Sequence, residues 1–323
     1  MRKSSPWLRF GVFAAFAILI TATLWLAKPV ETPPWRQNAD TATEQESPAT
    51  ARDIREADVE LTPFAFVCYN VKNWLSSTQS PEKSDEAKKA IITILSECDP
   101  DIVGLCEIGS EADISEIRNM LKEAGTDLPY SHYIGGVDTV RHLGILSRFP
   151  IISKQVPETE IPGTGQSMQR GILDVTIGIN GAPVRFIGLH LKSKRIVPQY
   201  DQSLLRVAEA QHVRNHIDRI LTNDPSAMLV VYGDFNDHIR SLSTRTILGT
   251  YRTPQYLSPV HVKDGHGEYW THFYDAQDSY SRIDFVTVSN ALKSHLDRKL
   301  SRVVDSPDWN IASDHRPVFV KFK

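Results

Sequence analysis

The chain has 323 residues, of which 41% are apolar and 23% charged, a balance that fits a globular protein and excludes a disordered, collagenous or polytopic membrane chain. Its formal charge is −3, but residues 1–28 carry Arg2, Lys3, Arg9 and Lys28 and no acid, so the remaining 32 basic residues face 39 acidic ones. A body of that sign attracts no polyanion as a whole, and a phosphate-rich partner must meet a local basic patch.

The first predicted element is an N-terminal hydrophobic helix. Phe10–Ala27 has no charge over 18 positions and is flanked by Arg2, Lys3, Arg9 and Lys28. A bilayer span needs roughly 20 apolar residues and a secretory core only about 7–15, so the length favours an uncleaved membrane anchor over a removed signal peptide. The basic flank places the N-terminus in the cytoplasm and the body outside, or secreted or periplasmic if residues 1–28 are cleaved. Residues 29–62, rich in Pro, Thr, Ala and Glu, bury too little to fold alone and read as a flexible linker. The folded body is therefore expected over 63–323.

Within the body, FAFVCYN is an apolar, β-branched run that suits a strand buried on both faces and ending at Asn70. Residues 82–98 place Ala87, Ala90, Ile91, Ile94, Leu95 and Cys98 at helical spacing, and DPDIVGLCEI then turns into a second strand ending at Glu107. Further strands are predicted at 144–152, 171–179, 184–191, 227–235, 282–289 and 317–322, with one long helix over about 200–221. Cys68, Cys98 and Cys106 lack the paired short spacings of a zinc site and read as buried thiols. Strands with a few helices over one uninterrupted body predict a single two-sheet α/β domain, expected as a monomer.

Several of these strands end in residues that are expensive to bury: Asn70, Glu107, His190, and the pair Asp234 and Asn236. Asp284 lies in RIDF, and Asp314 and His315 stand just before the final strand. Each alone has an ordinary role as a cap, a turn or a structural histidine. Together they form a carboxylate-rich set without clustered Cys or His, which suits a hard cation such as Mg2+ or Mn2+. A histidine oriented by a carboxylate can take a proton from water, so the set points to phosphoester hydrolysis.

The motifs YN at 69–70, PDIVGLCE ending at Glu107, GLHLKSK around His190, GDFND at 233–237, RIDF with Asp284, and SDHRP with Asp314 and His315 occur in one order. In this the sequence resembles the endonuclease/exonuclease/phosphatase superfamily over essentially all of 63–323. The resemblance implies a four-layer α/β/β/α sandwich of two packed mixed sheets with outer helices, and a metal-dependent phosphodiesterase, with nuclease action ahead of phospholipid-headgroup cleavage of the sphingomyelinase kind or a non-catalytic phosphate-binding role. It implies Glu107 as principal metal ligand, assisted by Asp314 and Asn70, and His315 as general base oriented by Asp284. Asp234 would position or deprotonate the nucleophile, while Asn70, Asn236 and His190 would contact the phosphate. Lys72 departs from the apurinic-endonuclease pattern, which has an acid there.

Lys192, Lys194 and Arg195 follow the His190 strand, and with Arg148 and Arg170 they are expected to form an anion-binding rim, with Lys192 and Arg170 holding phosphate. Such groups position nucleic acid and phospholipid alike. Tyr251, Tyr256, Tyr269, Trp270, Phe273 and Tyr274 are the aromatic residues that a lipid surface would call upon.

Overall fold

The computed structural model describes residues 61–75, 82–195 and 201–323. The expected anchor and nearly all of the linker lie outside them; among the described residues no helix is long and apolar enough to cross a membrane.

Period-two alternation with both faces apolar builds the central strands. In Phe64–Trp74, Phe64, Phe66 and Cys68 face one apolar cluster while Ala65, Val67 and Tyr69 face another. Among the described residues the strands form two six-stranded sheets and two short two-stranded ones. The first runs Leu296–Val303, Val318–Phe322, Phe64–Trp74, Ile102–Ile108, His142–Ser147, Tyr130–Ile134. The second runs Ser258–Pro259, Asp284–Val288, Leu229–Asp234, Ala182–His190, Leu173–Ile179, Ile151–Gln155. Each sheet holds one parallel pair, Phe64–Trp74 with Ile102–Ile108 and Ala182–His190 with Leu229–Asp234, so both are mixed.

Three apolar clusters mark the interfaces of four layers. Phe66, Cys68, Phe186, Tyr232, Val286 and Val320 lie in the cluster between the sheets. Ile91, Ile94, Ile114, Ile117 and Leu121 of the helices Asp85–Glu97 and Glu111–Glu123 pack on Val67 and Val103 of the first sheet. Val213, Ile217 and Leu221 of Gln202–Asn223 pack with Val231 and Phe285 of the second. Between the sheets Tyr232 lies on glycine: a Cβ at Gly104 would stand 2.1 Å from its ring and one at Gly188 2.8 Å from its hydroxyl. That close approach holds the two sheets together in the middle of the core.

Three expectations need correction. The strand expected over 144–152 is two strands in different sheets, because Arg148–Phe149–Pro150 turns the chain out of the first sheet and into the second. The first strand continues past Asn70 to Trp74 through an irregularity, with Lys72 and Asn73 at φ of 47° and 55°. Arg148 is not on the rim: it pairs with Asp101 at 2.8 Å and Asp99 at 3.3 Å, at the start of the strand whose far end carries Glu107.

Candidate active site

Sheet register gathers the polar strand ends. In the second sheet His190, Asp234 and Asp284 are Cα partners across three adjacent strands. In the first sheet Asn70 pairs with Cys106, one residue before Glu107. His315 forms a bridge with His272, whose ring packs on it at 4.5 Å. Six of the expected residues, Asn70, Arg170, His190, Asp234, Asp284 and His315, are buried, where water cannot satisfy them.

His315 Nδ1 bonds Asp284 Oδ2 at 2.8 Å, and Nε2 stands 3.8 Å from Asp234 Oδ2 and 3.9 Å from Asp314 Oδ1. Ser313 Oγ sets this segment, donating to Asn70 O at 2.8 Å and accepting from His315 N. Asn70 Nδ2 donates to Asp234 Oδ2 at 3.1 Å and faces Glu107 Oε1 at 3.4 Å, while its Oδ1 accepts from Lys72 N. The amide thus presents a donor to the centre, an arrangement suited to a phosphate oxygen more than to metal ligation. His190 Nε2 lies 3.6 Å from Asp234 Oδ2 and 3.9 Å from Glu107 Oε1.

Glu107 sits at φ 67°, a strained conformation for a residue with a side chain, and its Oε2 accepts from Asn73 N at 3.0 Å. The irregular turn at Lys72–Asn73 makes that bond possible. Gly233 of GDFND stands at φ 133°, where a Cβ would lie 1.9 Å from Leu189 O. Asn236 closes the next turn by donating from its backbone to Asp234 Oδ1 at 2.8 Å and from Nδ2 to Leu191 O at 2.9 Å, so its amide braces Asp234.

The electrostatics are dominated by crowded carboxylates. Burial, with the charges of Asp284 and Glu107, pushes Asp234 up to about 7. Burial opposes an imidazolium at His315, but Asp284, Asp234 and Asp314 overcome it and raise the group to about 10. Burial and the cations Arg170, His315, Arg141 and Lys192 push His190 well below its ordinary range. Asp284 Oδ1 and His190 Nδ1 are buried without a hydrogen-bond partner.

A hard cation fits this donor set: the oxygens are carboxylate, the negative charge is undercompensated, and a buried carboxylate oxygen is unpaired. Among the described residues Asp234, Asp284 and His315 bring ligand atoms within 4.8 Å of one another, a set that differs from the expected Glu107, Asp314 and Asn70. Within that cluster Asp284 Oδ2 and His315 Nδ1 bond each other, while Asp284 Oδ1 is unpaired.

Of the basic rim, Arg170 is buried, donating to Asp138 Oδ2 at 3.1 Å and Leu191 O at 3.4 Å. Lys192 donates its backbone N–H to Glu209 at 2.6 Å. Lys194 is drawn 3.0 Å from Asp237. Three residues near the centre carry no motif and escape sequence reading: Arg141, 3.6 Å from Glu107 Oε2; Lys72 as a partner of Asp314 at 3.5 Å; and His272. Arg141 and His272 are placed by folding alone, and only the departure at Lys72 was a visible signal.

The sandwich and its carboxylate-histidine centre define a metal-dependent phosphoester hydrolase. The chain belongs to the Endonuclease/Exonuclease/phosphatase family, whose model matches residues 73–315. An inositol phosphosphingolipids phospholipase C of Schizosaccharomyces pombe is 30% identical over 126 residues, which span 39% of this chain and 28% of that relative. The fold is similar to that of Staphylococcus aureus beta toxin, with a TM-score of 0.60, 18% identity and coverage of 80% of this chain and 100% of that one. Sphingomyelinase C from Streptomyces griseocarneus matches at a TM-score of 0.56 and 17% identity, over 81% of this chain and 100% of the other. Truncated TDP2 from Caenorhabditis elegans matches at 0.56 and 16%, over 80% and 97%. At these identities the structural matches establish the fold.

Proposed function

We propose that this chain is a phosphodiesterase of nuclease type in which His315, oriented by Asp284, takes the proton of an attacking water. The 2.8 Å bond from His315 Nδ1 to Asp284 carries the reading, because it commits one ring nitrogen and leaves Nε2 turned toward Asp234 and Asp314. Glu107, assisted by Asp314, would hold Mg2+ or Mn2+. Bound there, the ion supplies positive charge to the phosphate oxygens and offsets the carboxylates that keep His315 protonated. Asn70 and His190 hydrogen-bond the phosphate as charge builds on its oxygens. Asp234, braced by Asn236, positions the water beside Nε2. The water oxygen bonds phosphorus, its proton goes to His315, and the P–O bond to the leaving alkoxide breaks.

Nucleic acid is the proposed substrate, and a phospholipid headgroup is the second reading, supported by the similarity to the Schizosaccharomyces pombe phospholipase C. Tyr251, Tyr269 and Tyr274 are exposed, whereas Trp270 and Phe273 pack on Trp309, so part of the aromatic set is available to a surface. Export, with residues 1–28 as anchor and 29–62 as linker, is carried as part of the same proposal.

The test is hydrolysis of an activated phosphodiester, circular DNA and sphingolipid vesicles with magnesium, manganese or chelator. Metal-dependent cleavage of the diester and DNA is expected. Cleavage of vesicles without DNA replaces the nuclease reading with the lipid one, and silence on all three overturns both.

A further inference from the structure

Beside the centre lies a cavity of about 730 Å3 whose charged lining is wholly basic. Several of its walls adjoin the centre along the chain: Arg282 stands two residues before Asp284, His238 two after Asn236, and Ser281 pairs with His272, which packs on His315. Its other walls are Lys263 and the edge-strand residues Arg298 and Lys299.

Among the described residues no aspartate or glutamate lines the cavity; carboxylates close by are Asp297, which accepts from the backbone N–H of Lys299 at 3.0 Å, and Asp284, whose charge reaches Arg282. Arg282 donates from Nη2 to Val260 O at 2.7 Å and lies over the Phe285 ring, yet its Nε is buried without a partner. Burial, then Arg282 and Arg298, lowers the pKa of His261, an independent sign that like charges converge. Cations that outnumber the acids around a cavity cost free energy unless an anion sits among them. Tyr269 and Tyr280, 59% and 56% exposed, line the same space, with the Tyr280 ring held against Trp270 and Phe273. Interleaved cations and open aromatic rings are the surface that tracks a single strand, the rings stacking on bases and the cations neutralising the backbone.

We propose that this cavity binds the nucleotide beside the scissile phosphate of a nucleic-acid strand, with Arg282, Arg298 and Lys299 around its backbone phosphate and Tyr269 or Tyr280 against its base. The proposal deepens the phosphodiesterase reading and rests on it. A strand that seats one phosphate at His315 brings another alongside, whereas a diester with a single phosphate has nothing to place there.

The test uses the full chain carrying Arg298→Glu and Lys299→Glu together, both at exposed positions, with Arg219→Glu on the Gln202–Asn223 helix as charge control. Fluorescence anisotropy in chelator measures the Kd of a labelled single-stranded oligonucleotide across a salt series. The double variant is expected to weaken binding at least tenfold and to flatten the slope of log K against log salt by about 0.7 for each phosphate that is no longer neutralised, while the control matches wild type. With magnesium, kcat/KM should fall at least tenfold further for the oligonucleotide than for bis-p-nitrophenyl phosphate; Tyr269→Ala should weaken binding without changing the salt slope. Unchanged Kd, or equal losses on both substrates, overturns the proposal, as does a loss confined to anionic phospholipid vesicles. If wild type cleaves neither substrate but its oligonucleotide binding still needs the two cations, the phosphodiesterase reading fails and the cavity assignment stands.

Discussion

Two buried carboxylates of the second sheet, Asp174 and Asp234, live in opposite surroundings. Asp174, on the outer face under the long helix, receives Arg185 at 2.7 and 2.6 Å and His216 at 2.7 Å. Despite burial, those partners hold it below the usual carboxylate range. Asp234, at the end of the strand two places away in the same sheet, faces Asp284 and Glu107 and is raised to about 7. The first arrangement satisfies a charge and belongs to stability. The second leaves charge unbalanced, which is what a centre that receives a cation and a phosphate requires.

The sharpest way to separate the two regions is Glu107→Gln, which should take turnover to background while leaving the melting temperature of the metal-free protein unchanged or higher, because a like charge is removed. Substantial remaining turnover would strike Glu107 from the chemistry. His315→Ala should lower kcat by about 10²–10⁴-fold; a drop of only a few fold would shift the base to Asp234. Asp174→Asn should reverse the pattern, costing about 3 kcal/mol in urea unfolding because Arg185 and His216 lose their partner, with kcat of the folded fraction intact.

Acidity distinguishes the regions by sign. In chelator the native state keeps a proton on Asp234 up to about 7 and on His315 up to about 10, above their ordinary 3.8 and 6.5. Folding takes up protons there, so the centre's contribution to stability should fall as pH rises through that interval. Asp174 works oppositely: its contribution is complete above the usual carboxylate range and is lost as pH falls through the depressed value. Urea unfolding of wild type and Asp174→Asn at several pH values should show their gap closing in acid. The smallest effect is expected for Ser313→Ala, about 1 kcal/mol or fivefold in kcat, since it removes one bond that sets the His315 segment.

The strand ends were legible because an apolar run closing on Asn, Glu, His or Asp is costly without a purpose. Their meeting was not derivable from spacing, since it depends on register between strands as distant as Asp234 and Asp284. The helix Glu111–Glu123 hid behind its charged face, and Leu296–Val303 hid because an edge strand with Asp297, Arg298, Lys299 and Arg302 resembles a solvated loop. The turn that moves the chain between sheets at Arg148–Pro150 lies inside one continuous apolar pattern. Arg141 carries no local signal.

The bond from Ser313 to the carbonyl of Asn70 joins positions 243 residues apart, and the strand Val318–Phe322 fills the gap beside Phe64–Trp74 in the first sheet. Pairings of such long sequence separation form late, because loop closure precedes their reward. A growing polypeptide that already holds Glu107, His190 and Asp234 still lacks Asp314 and His315, so under the proposed mechanism hydrolysis waits until the 313–322 segment docks. Latency during biogenesis is thus written into the chain order itself.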